Sequence, residues 1–133
     1  MIEGATEAEV VDAERQLGVA FPADYRSFLM GKNGIEDWFG TVYLVLFNVA
    51  GMVEATKVRL EHQPKLFTKL VLIGGDGGGE SFGFDFRQTP PSIVMVALVS
   101  SVWEDAIYQA ASFTDFMEQR EEGREFRFAD HDA

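Results

Sequence analysis

Two spacings of apolar residues divide the chain into helices and strands. Apolar residues three and four positions apart predict four helices, at 7–17, 22–32, 49–61 and 113–122. Runs of apolar and β-branched residues predict strands at 41–47, 67–73, 81–87 and 92–99, while 106–109 fits either a last short strand or the lead into the final helix. This order predicts an α+β fold in which helices pack against one side of an antiparallel meander.

Polar and small residues mark the ends of the first two helices. Thr6 and Glu9 have the spacing of a capping box, and Gly18 suits the left-handed end of the first helix. Pro22 suits the first position of the second helix, and Asn33-Gly34 suits its end. The residues expected to face inward are Val10, Ala13, Leu17, Tyr25, Phe28 and Leu29.

The third and fourth helices carry similar signals. Asn48 is expected to cap the third helix, and the sequence around Pro64 to end it. Ser112 is expected to cap the fourth, with Asp115 as its partner and Gly123 at its end. The residues expected to face inward are Val49, Val53, Thr56, Leu60, Phe113, Phe116 and Met117.

A glycine-rich stretch lies between two predicted strands at the centre of the chain. Phe82, Phe84 and Phe86 alternate after it, which puts their rings on one face of a strand. The turn formers are Gly74, Gly75, Gly77, Gly78 and Gly79. No Gly-Lys-Ser/Thr follows, and a strand comes next where a phosphate loop would have a helix. The acidic spacing does not match a calcium loop either, so we interpret the stretch as a β-hairpin.

Two further features are candidate partner contacts. Residues 35–40 are predicted to form a loop that carries Trp38 and Phe39, which either line the core or anchor a partner. Asp76 and Glu80 give the central turn an acidic character. These four residues are the candidate partner-binding set.

Composition and charge limit the classes of partner. The 133 residues are 47% hydrophobic, which predicts one globular domain over 1–133 with a core at about 5–122 and a tail or edge strand at 123–133. A net charge of −11 with scattered Lys and Arg disfavours nucleic acid and anionic membrane as partners. The acid excess either attracts a basic protein or only keeps the protein soluble. No run reaches the roughly 18 apolar residues of a membrane helix. The first five residues do not fit a signal peptide, and the lack of cysteine suits a cytoplasmic protein.

Motifs for catalysis are missing from the sequence. His62 and His131 are the two histidines, and neither lies in a metal-ligand pattern or near a Gly-x-Ser-x-Gly motif. We therefore expect no enzyme activity, no metal and no cofactor, and we favour binding over catalysis.

The sequence resembles the SUKH superfamily, which contains yeast cell-wall assembly regulators of the Smi/Knr type and bacterial immunity proteins. The first third matches its opening signature, with Phe21 in place of the usual leucine: Glu14-x-x-Leu17-Gly18-x-x-Phe21-Pro22-x-x-Tyr25-x-x-Phe28-Leu29, then Asn33-Gly34. The central glycine-rich stretch is similar to the family's hairpin, and Ser112-Phe113-x-x-Phe116 is similar to its closing helix. The resemblance covers about residues 5 to 120.

The resemblance implies a curved, mainly antiparallel sheet flanked by helices, and a non-enzymatic role. Bacterial members typically bind and neutralise toxin domains, often nucleases, and nuclease domains tend to be basic. Three hypotheses follow: an immunity protein that binds a basic toxin domain, a regulatory or scaffolding module for endogenous proteins, and a small-ligand binder or enzyme with a pocket near the Gly74–Gly79 turn. The motif residues act as caps and turns and do not locate a binding face.

Overall fold

The computed structural model describes residues 4–128. Its helices are α1 (Glu7–Leu17), α2 (Ala23–Gly31), α3 (Val49–His62), α4 (Pro64–Phe67) and α5 (Phe113–Glu121). Its strands are β1 (Ile35–Phe39), β2 (Val42–Leu46), β3 (Leu70–Gly75), β4 (Glu80–Asp85), β5 (Ser92–Ala97) and β6 (Ile107–Ala110). A 3-10 turn at Trp103–Asp105 precedes β6.

The six strands form one open antiparallel sheet in chain order, from β1 at one edge to β6 at the other. The α+β fold and the antiparallel meander are therefore confirmed. The central hairpin joins β3 to β4, and Gly75 pairs with Ser81 next to the turn. Helices α3 and α4 fill the connection between β2 and β3.

The main core lies on one face of the sheet. Helices α1, α2 and α5 and the first half of α3 cover this face. Tyr25 contacts both Phe84 and Phe113 edge-on, with ring centroids 5.0 and 5.2 Å apart. Phe82 and Phe84 are fully buried and Phe86 packs against the cluster, as their alternation predicts. Burial of apolar area at about 25 cal/mol per Å² makes this aromatic face the main source of stability.

A smaller core covers the opposite face, where the sequence predicted no helix. Leu66 and Phe67 of α4 pack there on alternate residues of the strands, and Ala55 of α3 contributes a partly buried contact. The strand residues in this cluster are Leu70, Leu72, Val94 and Val96. Strand residues alternate between faces, so the buried runs of β3 and β5 serve both cores.

The predicted helix starts are confirmed by their hydrogen bonds. Thr6 and Glu9 form the reciprocal capping box, with distances of 2.8 and 3.1 Å. The Asn48 side chain accepts from the Gly51 backbone N–H at 2.7 Å, and Ser112 accepts from that of Asp115 at 3.1 Å. These bonds join residues three apart, so the local sequence is sufficient to form them.

Two helix boundaries differ from the prediction. Helix α2 begins at Ala23, one residue after Pro22, and it ends at Gly31, before Asn33-Gly34. The Asn33 side chain instead accepts a 2.8 Å hydrogen bond from the Val49 backbone N–H at the start of α3.

The inward-facing residues of α3 also differ from the prediction at one position. Leu60 was expected to face inward but is 38% exposed, while Met52 is buried.

The predicted loop at 35–40 is wrong. Residues Ile35–Phe39 form β1, which pairs with β2 through the two-residue turn at Gly40 and Thr41. The charged residues of β1 are tolerated because it is an edge strand with one face in water.

Gly74 and Gly75, expected in the central turn, belong to β3. A Cβ on Gly74 would lie 1.9 Å from the Val45 carbonyl oxygen, so the missing side chain lets β2 approach β3. The turn itself consists of Asp76, Gly77, Gly78 and Gly79.

The chain after α5 forms no strand over residues 124–128, and Phe126 is buried against Phe82 and Phe116. The core thus extends past the boundary expected near 122. The remainder of the predicted tail, with His131, lies outside the described residues.

Candidate protein-interaction site

One corner of the sheet carries a cavity of about 320 Å³ lined by aromatic and acidic side chains. It lies where the β1–β2 turn, the β3–β4 turn and the chain after α5 meet. We call it the aromatic corner, and it is lined by Trp38, Thr41, Val42, Tyr43, Asp76, Glu125, Phe126 and Phe128.

The β1–β2 hairpin places the two largest rings side by side. Phe39 and Val42 flank a two-residue turn, so the next pair, Trp38 and Tyr43, is a pair without mutual backbone hydrogen bonds, and its side chains lie close. Their ring centroids are 5.0 Å apart at 54°. Trp38 is nevertheless 62% exposed, so one face of the indole is open to a partner.

The outer edge of β1 is partly occupied by its own side chain. The Trp38 backbone N–H donates a 2.8 Å hydrogen bond to the Asp37 carboxylate. An incoming strand would have to displace this bond, which disfavours pairing along the edge. Recognition at this corner therefore depends on side chains.

The β3–β4 turn brings a carboxylate beside Tyr43. Asp76 Oδ1 accepts from the backbone N–H of Gly78 at 2.8 Å and of Glu80 at 3.2 Å. Gly77 has φ 82°, and a Cβ at this position would come within 2.8 Å of the Tyr43 ring. Only glycine tolerates both the positive φ and the close approach of the Tyr43 ring. The close contact fixes the turn against Tyr43.

The chain after α5 closes the third side of the cavity. The Gln109 side chain, which is buried, donates to the Arg127 carbonyl at 2.7 Å and accepts from the Arg127 N–H at 3.0 Å. Phe126 is buried in the main core, with its ring centroid 4.5 Å from that of Phe82. These anchors leave Phe128, which is 60% exposed, at the cavity.

The charge around the aromatic corner is negative. Asp76 and Glu125 line the cavity, and Glu36 lies beside it because it accepts a hydrogen bond from the Tyr43 hydroxyl. This bond raises the pKa of Tyr43. Burial, and then the charge of Asp76, raise the pKa of Glu80. No Lys or Arg lines this cavity, although all eleven fall within residues 4–128.

The four predicted contact residues separate into two groups. Trp38 and Asp76 meet at the aromatic corner. Phe39 points to the other face of β1 and packs against the main core, and Glu80 pairs with Ala97 within the sheet without lining the cavity.

Sequence reasoning did not find Tyr43, Glu125 and Phe128. Tyr43 could have been found from the two-residue turn, which sets it opposite Trp38. The other two reach the corner only through the tertiary packing of the chain after α5.

The second tryptophan has a different environment. The Arg87 guanidinium lies 3.7 Å from the centroid of the Trp103 ring. Its Nε and Nη2 donate to the two Asp85 oxygens at 3.0 and 2.9 Å. The bond to Asp85 raises the pKa of Arg87. Here an aromatic ring and a carboxylate together hold an arginine of the same chain.

Further cavities lie in the described part of the chain, and two of them border α3. One, of about 520 Å³, lies between α1 and α3 and includes the exposed Lys57 and Glu61. The other, of about 430 Å³, is an apolar groove beside α3 that includes Val58 and Leu98. Within residues 4–128, no group of three or more His, Cys, Asp or Glu side chains could hold a metal, and no helix is long and apolar enough to cross a membrane.

An open antiparallel sheet with helices on both faces defines a domain of the α+β class. Residues 4–119 match the SMI1 / KNR4 family (SUKH-1), and the chain belongs to this family. The match confirms the resemblance seen in the sequence and supports an immunity-type or regulatory role with protein partners.

A curated relative from Bacillus subtilis (strain 168), the "Uncharacterized protein YnaB", is 36% identical over 55 residues. The aligned part covers 41% of this chain and 36% of that protein. The chain thus matches only about a third of this relative's length, and the similarity adds no activity.

Proposed function

We propose that this protein is a cytoplasmic immunity protein that neutralises a basic toxin domain, such as a nuclease, by direct non-enzymatic binding. The aromatic corner is the proposed contact face. The observation that carries the proposal is Trp38, which is 62% exposed and lies on an acidic strand edge. Exposed tryptophans contribute strongly to the affinity of protein interfaces.

The acid excess supports a basic partner. The chain carries 22 acidic and 11 basic residues. A field of this sign steers a cationic protein toward the surface and accelerates association. A toxin domain that binds nucleic acid through a basic surface would be occluded by an acidic protein in the same place.

The test is co-expression with the product of the neighbouring gene, scored by growth rescue and co-purification. We expect rescue and a stable complex with the natural sequence, and weaker rescue and a less stable complex with Trp38→Ala. The matched control is Tyr108→Ala, because Tyr108 is an exposed aromatic residue on β6, at the opposite edge of the sheet. Equal rescue by both variants would exclude the aromatic corner as the contact face.

A salt series tests the electrostatic part. The Debye length falls from about 10 Å at 0.1 M to about 3 Å at 1 M, so the association rate should drop by about tenfold or more. An association rate that does not change with salt would contradict steering by the acidic surface.

The regulatory or scaffolding hypothesis becomes the leading one if the product of the neighbouring gene is harmless. The next experiment is then a pull-down of cellular proteins, with the natural aromatic corner and with Trp38→Ala.

A further inference from the structure

We propose that the aromatic corner is an arginine-binding site, which takes one arginine side chain of the partner protein between Trp38 and the acidic groups around it. This inference rests on the proposed function for the identity of the partner. The chemistry of the ligand follows from the side chains that line the corner.

The rings are arranged to receive a flat cation. Trp38 and Tyr43 contact each other as a tilted pair, with their centroids 5.0 Å apart at 54°, and Trp38 keeps 62% of its surface exposed. Phe128, also exposed, lines the same cavity. A guanidinium is planar and weakly hydrated, and it stacks on aromatic faces more readily than an ammonium.

The carboxylates are placed to complete the site. Asp76 and Glu125 line the cavity with the three rings. Asp76 is fixed by two backbone N–H groups, which both bind its Oδ1. A carboxylate held in place accepts from a guanidinium without losing side-chain freedom on binding.

The same molecule already contains this arrangement in an occupied form. At Trp103, the Arg87 guanidinium stacks at 3.7 Å and donates two hydrogen bonds to Asp85. Arginines also lie over the rings of Phe67, Phe116, Phe126 and Tyr108, and the Phe126 ring, which Arg120 covers, is part of the corner's lining. None of the chain's eleven Lys and Arg, all within residues 4–128, is stacked on Trp38 or Tyr43 or lines their cavity. The pair of Trp38 and Tyr43 therefore has the ring and carboxylate components of the Trp103 site without a cation stacked on it.

The first experiment uses the full chain labelled with ¹⁵N, in which the two indole N–H signals are assigned with Trp38→Phe and Trp103→Phe. N-acetyl-arginine amide is titrated at constant ionic strength. We expect a saturable shift of the Trp38 signal, while the Trp103 signal stays, because Arg87 already covers that ring. The uncharged analogue N-acetyl-citrulline amide has the same shape and should give no saturable shift.

Two variants separate the charge from the fold. Asp76→Asn keeps an oxygen for the Gly78 and Glu80 N–H groups while it removes the charge. Glu125→Gln changes an exposed residue, so the fold does not depend on it. Each variant should weaken binding of the arginine probe about two- to fivefold, as for partly exposed ion pairs.

The outcomes decide the proposal. It is overturned if the Trp38 signal does not move, if the Trp103 signal moves equally, if N-acetyl-lysine amide binds as tightly as the arginine probe, or if both charge variants bind like the natural sequence. Failure of the toxin test with a positive titration rejects only the proposed function. Rescue by the protein with a negative titration rejects only the arginine site.

Discussion

The two tryptophans of this protein lie in similar chemical environments, with opposite exposure. Trp103 is partly buried, and its face is covered by Arg87, which Asp85 holds with two hydrogen bonds. Trp38 is 62% exposed and lies next to Tyr43 and the carboxylate of Asp76, with no cation of the chain on it.

This difference separates a structural site from an interface. Asp85 is almost fully buried, so its charge requires Arg87 whether or not a partner is present. The carboxylates at the aromatic corner keep contact with water, and the free protein tolerates them without a cation. Trp103, which Arg87 already covers, therefore stabilises the fold, while the exposed face of Trp38 is available for contact with a partner.

The largest effect is expected at the occupied site. Arg87→Met removes the charged partner of the buried Asp85 carboxylate and leaves it only the Arg87 backbone N–H at 2.9 Å. The free energy of unfolding should fall by about 2–3 kcal/mol. Urea denaturation followed by circular dichroism measures it. Adding Asp85→Asn to Arg87→Met should recover part of the loss. A loss below about 0.5 kcal/mol would mean that Asp85 is adequately solvated alone and that the two sites differ less than their burial indicates.

The next largest effect is expected at Trp38, in the affinity for the partner and not in the free energy of unfolding. Trp38→Ala should weaken binding of the partner by about 2 kcal/mol, roughly 30-fold, because an exposed interface tryptophan is lost. Calorimetric titration with the co-purified partner measures the affinity. The free energy of unfolding should change by less than about 1 kcal/mol, since most of the ring is in water. A large loss of stability would instead assign Trp38 to the fold.

A backbone substitution tests how the aromatic corner is held together. Gly77→Ala places a Cβ 2.8 Å from the Tyr43 ring on a residue with φ 82°. The free energy of unfolding should therefore fall by about 1–2 kcal/mol. The matched control is Gly123→Ala, which has a similar φ of 80° and where a Cβ meets nothing within 4 Å. Thermal denaturation of both variants measures the difference. If the two lose equal stability, the contact between the turn and Tyr43 does not hold the corner.

The smallest effect is expected at Glu80. The pKa of Glu80 is raised by burial and by the charge of Asp76, because its charged form is less favourable in the folded protein. The free energy of unfolding therefore falls as the pH rises through the raised pKa and Glu80 becomes charged. Glu80→Gln should therefore raise stability at pH 7 by less than about 0.5 kcal/mol. The gain should vanish below the ordinary glutamate pKa of about 4.3. The control for loss of one charge is Glu118→Gln on α5. Thermal denaturation across pH measures the stability of both variants. An equal gain for both would mean that the effect is not local to Glu80.

The sequence was most informative where contacts are short in range. The capping box of Thr6 and Glu9 and the caps at Asn48 and Ser112 formed as predicted, because each joins residues three apart. It was least informative at β1, where charged residues next to Gly40 suggested a loop. That segment becomes a strand only because β2 is beside it and its outer face is in water.

For the candidate site, the sequence determined which residue types are present: an aromatic residue at Trp38 that could line the core or anchor a partner, an acidic turn at Asp76 and an excess of negative charge. The tertiary structure decided which of them meet. Asp76 reaches Tyr43 because β3 pairs with β2, and Phe128 reaches the corner because Gln109 and the core hold the chain after α5. It also decided that Arg87 covers Trp103 while Trp38 stays open. Such choices depend on strand order and packing between distant residues, and the spacing of residues along one chain does not encode them locally.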